Sequence, residues 1–133
     1  MYLLDTNVWI DIERGQQKKV SERFLTVLPS EVRLSTVVIG ELYVGAARSR
    51  NPDLARVTVN MLVDGFDRCE VDEGAAHHYA ELTADLARRG ELIGTNDRWI
   101  AAQALAGDLV LVTANTNEFS RVQGLRLEDW RMR

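Results

Sequence analysis

Short apolar runs alternate along this chain with amphipathic stretches from one end to the other. Tyr2-Leu3-Leu4 runs straight into Asp5, the pattern of a short buried strand that delivers a carboxylate at its C-terminal end. A helix starts next, with Thr6 or Asn7 as the expected cap, because a short side-chain oxygen accepts from the free N–H groups of a first turn. Val8 to Glu13 reads as that helix, stopped at Gly15. Gln17 to Leu28 sets Val20, Phe24, Leu25, Val27 and Leu28 at near-helical spacing ahead of Pro29. Arg33 to Thr36 is a second strand, and Val37 to Ser49 a helix with Val38, Ile39, Leu42 and Ala46 on overlapping faces. Asn51-Pro52 breaks that helix, and Asp53 is the expected cap of the next, Leu54 to Phe66. Cys69-Glu70-Val71 is a short third strand. Asp72 and Glu73 open a long helix that ends at Arg88-Arg89-Gly90, cations in the last turn and glycine after it. Thr95-Asn96-Asp97 begins another, running to Ala106 and closed by Gly107. Leu109 to Thr113 is the clearest buried strand, and a helical turn at Asn117 to Arg121 and a strand near Leu125 to Leu127 complete the chain.

Strands that alternate with helices make βαβ units, so the expected architecture is α/β: a mostly parallel central sheet with helices on both faces. The 133 residues read as one domain, 1–133, with no internal repeat, linker or low-complexity segment. Hydrophobic residues at 46% and charged residues at 27% are ordinary for a soluble globular protein. No apolar run approaches a membrane span and no signal peptide precedes Asp5. Cys69 is the only cysteine, which excludes an intrachain disulfide. These features point to a cytoplasmic protein with no membrane partner. The net charge of −4 argues against a general nucleic-acid coat. It leaves open an enzyme that reaches phosphates through a bound cation, since the ion is often the largest local charge in a site.

Charge matters most at four acids that stand where elements begin or end. Asp5 follows the first strand, Glu41 lies in the first turns of the helix after the second, Asp97 opens its helix, and Glu118 follows the strongest strand. Such positions gather at the carboxyl edge of a parallel sheet, where open α/β folds bind ligands. Taken singly each acid has an ordinary reading, a helix N-terminal charge or a solvated turn residue. Together they would repel and raise one another's pKa unless neutralised. Mg²⁺ or Mn²⁺, hard ions that prefer oxygen ligands, is the natural counter-charge. A carboxylate cluster with no partner His or Cys is the ligand set of metal-assisted phosphoryl transfer. Thr113 and Asn115 stand where they would orient those carboxylates, and Thr6 sits beside the first of them.

The blocks Leu4-Asp5-Thr6-Asn7, Glu41-Leu42-Tyr43-Val44-Gly45-Ala46, Asn96-Asp97-Arg98-Trp99-Ile100-Ala101-Ala102 and Thr113-Ala114-Asn115-Thr116-Asn117-Glu118-Phe119 resemble, in order, the four signature blocks of PIN-domain proteins. They cover essentially the whole chain. The greatest likeness is to the VapC toxins of bacterial VapBC toxin–antitoxin systems. The ending, Phe119 through Gly124-Leu125 to Glu128-Asp129-Trp130, resembles the branch that cuts initiator tRNA. The resemblance implies a three-layer α/β/α fold, Mg²⁺-dependent endoribonuclease activity, a homodimer, and a cognate VapB-type antitoxin through which DNA is met only indirectly. It assigns Asp5, Glu41, Asp97 and Glu118 as catalytic and metal-binding residues, Thr113 as a supporting threonine and Asn115 as a frequent asparagine. Two positions depart from the usual pattern. The fourth acid is Glu rather than Asp, which puts a second metal position in question, and Trp99 is bulkier than usual and is expected to shape the substrate groove.

Other functions fit the sequence less well. A PIN-like module without catalysis would bind RNA or protein only, and the complete acid set argues against it. A phosphatase of the haloacid-dehalogenase type requires a second Asp two residues after the first, where this chain has Asn7. His77 and His78 are adjacent, so on a helix they diverge by about 100° and cannot chelate together. Arg48 and Arg50 are expected as a solvated C-terminal turn in preference to a phosphate clamp, and Arg88 and Arg89 more firmly so. Trp9, Ile10 and Ile12 belong either to the core or to a groove that takes an antitoxin helix.

Overall fold

The computed structural model describes residues 1–132. Five strands, β1 (Tyr2–Leu4), β2 (Val32–Ser35), β3 (Asp67–Cys69), β4 (Val110–Val112) and β5 (Leu127–Glu128), form one sheet in the order β3-β2-β1-β4-β5. Every pairing is parallel. The helices between them are α1 (Thr6–Arg14), α2 (Lys18–Thr26), α3 (Thr36–Ala47), α4 (Pro52–Val63), α5 (Glu73–Arg88), α6 (Thr95–Ala106) and α7 (Thr116–Phe119). Strand order runs outward from β1 to β3, then returns past β1 to β4. Right-handed crossovers therefore put α1 to α4 on one face of the sheet and α5 to α7 on the other. The α/β class and the three layers agree with the expectation from the sequence.

The central strand shows why the layers are needed. Leu3 and Leu4 point to opposite faces of the sheet, yet both are fully buried. Leu34, Leu111 and Val112 are likewise fully covered. Under α1 the aromatic side chains of Trp9, Phe24 and Phe66 pack against one another, Trp9 edge-on to Phe66 with ring centroids 5.0 Å apart. Trp9 is fully buried, so it belongs to the core. At the C-terminal end Trp130 lies edge-on to Tyr2, 5.6 Å away, and Arg131 forks onto the buried Asp11 of α1 with two bonds of 2.8 Å. Trp130 and Arg131 are thus tied to the first strand and helix.

Several boundaries differ from the sequence reading, each for a physical reason. Asp5 itself caps α1, so Thr6 is already helical. Asn51 caps α4 and Pro52 takes its first turn, where the missing N–H costs nothing. The third strand lies two residues earlier than expected because an edge strand need not be apolar. Asp67 and Arg68 are exposed, while Val71 sits outside the sheet. β5 begins at Leu127, and α7 starts at Thr116 rather than Asn117. His77 is exposed and His78 half-buried. Among the described residues no helix is long and apolar enough to cross a membrane.

Candidate active site

The site is built at the carboxyl edge of the sheet, at the point where β1 and β4 lie side by side and the chain connections leave in opposite directions. Such a switch point opens a crevice between the loops that follow the two strands. Leu4 pairs with Val112, and the N–H of Asp5 donates to the Val112 carbonyl at 2.9 Å. The ladder therefore carries Asp5 to the same level as Thr113, the first residue beyond β4. There the Thr113 hydroxyl donates to Asp5 Oδ2 at 2.9 Å. The other carboxylate oxygen accepts from the Thr6 N–H at 2.7 Å.

Thr6 also faces the next acid. Its hydroxyl donates to Glu41 Oε1 at 2.7 Å, so one residue joins Asp5, at the start of α1, to Glu41 on α3. Ser35 caps α3 by accepting from the N–H groups of Val37 and Val38. Asp97 stands in the first turn of α6, in a shallow basin of about 400 Å³ shared with Glu41, Gly94, Thr95 and Asn96. Glu118 comes from α7, half-buried on the β4 side. The Asn115 N–H donates to the Thr113 hydroxyl at 3.0 Å and holds the turn into α7. The Asn115 side chain does not cap that helix.

The electrostatics show that the four acids share one field. Burial pushes the Asp97 carboxyl up to about 6, and the charges of Asp5, Glu41 and Glu118 push it the same way. Asp5 is raised by burial too, against the opposing pull of its bonds from Thr113 and Thr6. Among the described residues none of the four is paired with Lys, Arg or His. Nor, among those residues, are any three His, Cys, Asp or Glu side chains drawn in tightly enough to form a ready-made ion cage. Like charges without a counter-ion face one another at electrostatic range and lean on hydroxyl groups instead. An all-oxygen donor set whose mutual repulsion already favours added positive charge fits a hard divalent cation such as Mg²⁺ or Mn²⁺.

This arrangement, and the order in which the sequence supplies it, can be compared with known proteins. The PIN domain profile matches residues 2–125. A tRNA(fMet)-specific endonuclease VapC of Shigella flexneri is 37% identical over 129 residues, 97% of each chain. The chain belongs to the PIN-domain family, among its VapC proteins. Two solved structures are similar to it over nearly all of its length. The VapBC-1 structure of nontypeable Haemophilus influenzae matches with TM-score 0.87 and 34% identity, covering 97% of each chain. The DNA-bound VapBC structure of Salmonella typhimurium matches with TM-score 0.89 and 33% identity, again over 97% of each.

Around the acids of this PIN domain lie features that sequence reasoning missed. Ser35 and Gln103 are both buried, and the Ser35 hydroxyl donates to Gln103 Oε1 at 2.6 Å. Gln103 Nε2 in turn donates to the Cys69 carbonyl at 2.9 Å. The pair fastens the start of α3, which carries Glu41, to α6, which carries Asp97. A Ser before a helix and a Gln within one gave no signal of their mutual contact. Trp99, expected to shape the groove, lies flat on Tyr79 of α5, with centroids 3.7 Å apart and planes 12° from parallel. Arg98 covers the Tyr79 ring at 5.4 Å. Arg50, read as a solvated residue, lines a groove of about 470 Å³ between α1, α3 and α4 that also includes Glu41.

Proposed function

We propose that this PIN domain is a metal-dependent endoribonuclease that acts as the toxin of a VapBC-type pair, with initiator tRNA as its substrate. The observation that carries the reading is the unpaired acid field. Asp97 is held up to about 6 by burial and by three neighbouring acids, and among the described residues none of the four is paired with Lys, Arg or His. Asp5, Glu41, Asp97 and Glu118 are the residues that would hold Mg²⁺, or Mn²⁺ in its place. The ion supplies positive charge that polarises the scissile phosphate and makes a water molecule a better nucleophile. The chain's own residues do the orienting. Thr6 bonds to both Asp5 and Glu41, and Thr113 fixes Oδ2 of Asp5. The same positive charge would favour the ionised form of Asp97, which burial and the other three acids disfavour.

The tRNA assignment is supported by the name of the Shigella flexneri relative, a tRNA(fMet)-specific endonuclease. A single-stranded anticodon loop can bend a scissile phosphate into the acidic basin more easily than a duplex can. With a net charge of −4 the protein must rely on local Arg residues and the metal for affinity. The partner we assign is a VapB-type antitoxin, in keeping with the similar structures, which are of VapBC. Its apolar segment would lie in the groove lined by Ile10, Leu42, Ala46, Leu54 and Leu62. A homodimer is part of the same reading, and Leu54, Val57 and Met61 of α4 leave an exposed apolar stripe on the surface. DNA is met only through the antitoxin.

Purified protein incubated with total RNA tests this directly. Cleavage is expected with Mg²⁺ and not with EDTA, at one dominant site in the initiator anticodon loop, leaving a 5′-phosphate. Full activity in EDTA would remove the metal from the mechanism. A 2′,3′-cyclic phosphate would point to attack by the RNA's own 2′-hydroxyl. Cuts scattered over messenger RNA, or confined to ribosomal RNA, would overturn the tRNA assignment.

A further inference from the structure

We infer that Arg89 is a positioning residue, which clamps the turn bearing Glu118 to the loop that leads into Asp97 and so sets the spacing of those two acids. The inference rests on the nuclease reading of the acids, but its geometry is independent of it. α5 ends at Arg88, and the chain reverses through Gly90, whose φ of +68° is a left-handed conformation that glycine takes without strain. The Gly90 N–H donates to Ala87 O at 3.1 Å and the Glu91 N–H to Leu86 O at 2.9 Å. This closure folds the Arg89 side chain back over its own helix end. Its Nε and Nη2 reach Asp85 Oδ2 at 3.1 and 2.8 Å, its Nη1 reaches Glu91 Oε1 at 3.0 Å, and Nη2 also donates to the Arg121 carbonyl at 2.5 Å. All three guanidinium nitrogens are engaged, on three different segments.

The far segment is the one that needs holding. α7 has a single turn, Thr116–Phe119, too short to be stable by its own hydrogen bonds. Its entry is fixed by the Asn115 N–H on Thr113, and its middle by the fully buried Phe119. Its exit is the stretch Ser120 to Val122, where Val122 is buried, the Ser120 hydroxyl donates to the Asn117 carbonyl at 2.9 Å, Arg121 lies 3.9 Å from Glu91, and Arg89 donates to the Arg121 carbonyl. The Arg121 N–H itself donates to Glu118 O at 3.1 Å. A pull at Arg121 is therefore transmitted to the residue that carries the fourth acid. On the near side, Glu91 and the buried Ile93 lead to Gly94 and into α6, where Asp97 waits. Exposed ion pairs contribute little to stability. That makes the clamp separable by experiment, since its loss should leave the fold standing. A planar fork with five donors can serve three segments at once, whereas a Lys ammonium on its flexible stem cannot.

The test compares the full chain with Arg89→Met and Arg89→Lys. Thermal unfolding, amide hydrogen exchange at Ser120 to Val122, Mn²⁺ affinity by calorimetric titration and RNA cleavage are measured on each. Arg89→Met is expected to keep its melting temperature within a few degrees. Its exchange at Ser120 to Val122 should quicken about tenfold as that exit opens. Mn²⁺ affinity and cleavage should fall about tenfold together, the usual effect of losing a group that orients metal ligands. Arg89→Lys should behave like Arg89→Met. Full recovery in Arg89→Lys would overturn the inference, because charge alone would then suffice. Unchanged exchange and unchanged Mn²⁺ affinity in Arg89→Met would also overturn it. If the unaltered chain neither binds Mn²⁺ nor cuts RNA, the nuclease reading fails, while the exchange data still decide whether Arg89 clamps α7.

Discussion

Replacing Asp97 with Asn should stabilise the metal-free protein while abolishing cleavage. Burial and three acidic neighbours hold the Asp97 carboxyl at about 6 against 3.8 for a free side chain, a difference of about two pH units. At ~1.4 kcal/mol per pH unit, the ionised carboxylate costs the fold at most about 3 kcal/mol above pH 7. Asp97 is only half-buried, so solvent screening reduces this to roughly 1.5 kcal/mol. Asn also gives up the attraction between a negative charge and the first turn of α6, about 0.5 kcal/mol. The net gain is about 1 kcal/mol, or a rise in melting temperature of roughly 3–5 °C for a chain of this size. The sign follows from the direction of the shift. The unfolded chain releases this proton near 3.8 and the folded chain near 6, so the stability present below 3.8 is lost as pH rises through that window. The advantage of Asp97→Asn should therefore be full at pH 7.5 and shrink steadily toward pH 4. Melting curves in EDTA across that range measure it. Adding Mn²⁺ should reverse the ranking, because a ligand that binds only the folded native chain raises its stability by mass action. An Asp97→Asn protein that melts below the parent in EDTA at pH 7.5, or a difference that ignores pH, would refute the reasoning.

Two further outcomes follow from the hydrogen bonds around the acids. Thr113→Val keeps the shape of a fully buried side chain but removes the donor to Asp5 and the acceptor for the Asn115 N–H. It should cost about 2–3 kcal/mol in denaturant unfolding. It should also raise the Asp5 pKa further, moving the acidic limb of the pH–rate profile upward; an unmoved limb would count against the role of Thr113. In Ser35→Ala and Gln103→Leu each single change strands a buried partner, at about 1–3 kcal/mol. The double variant should lose less than the sum by about 1 kcal/mol or more, and strict additivity would show that the two do not act as a pair.

The elements were largely legible in the sequence because each buried segment carries its own period. Leu109 to Thr113 reads as a covered strand from five residues alone, and the order of strands and helices then dictates a parallel sheet. The errors fall where tertiary context replaces pattern. β3 lies at the sheet edge, so its polar Asp67 and Arg68 conceal it, and the apolar-looking Val71 draws the eye two residues too far. The sequence makes Thr6 or Asn7 the expected cap of α1, but Asp5 itself caps it, accepting from the Thr6 N–H while its charge acts on Asp97. Trp9, Phe24 and Phe66 meet from three different segments, and nothing in their spacing announces the contact.

The candidate site divides in the same way. Asp5, Glu41, Asp97 and Glu118 stand out as acids at element boundaries, yet periodicity says nothing about whether they face one another. Their approach depends on strand order. β4 lies beside β1 only because the connection through α5 and α6 carries the chain back across the sheet, and this brings Thr113 to Asp5 over 108 residues of sequence. The groups that hold the acids are hidden for a related reason. Thr6, Ser35, Gln103 and Arg89 are common residue types in common positions, and they act through long-range bonds to a backbone or side chain that local pattern cannot supply. Under the metal-dependent reading proposed above, the protein would leave these acids without a cation of its own, and Thr6 and Thr113 bond to them through groups that orient without cancelling charge. The polar residues to seek beside such a cluster are therefore Thr, Ser, Asn and Gln. Arginines belong one step further back, where Arg89 grips α7 without contacting Glu118 or Asp97.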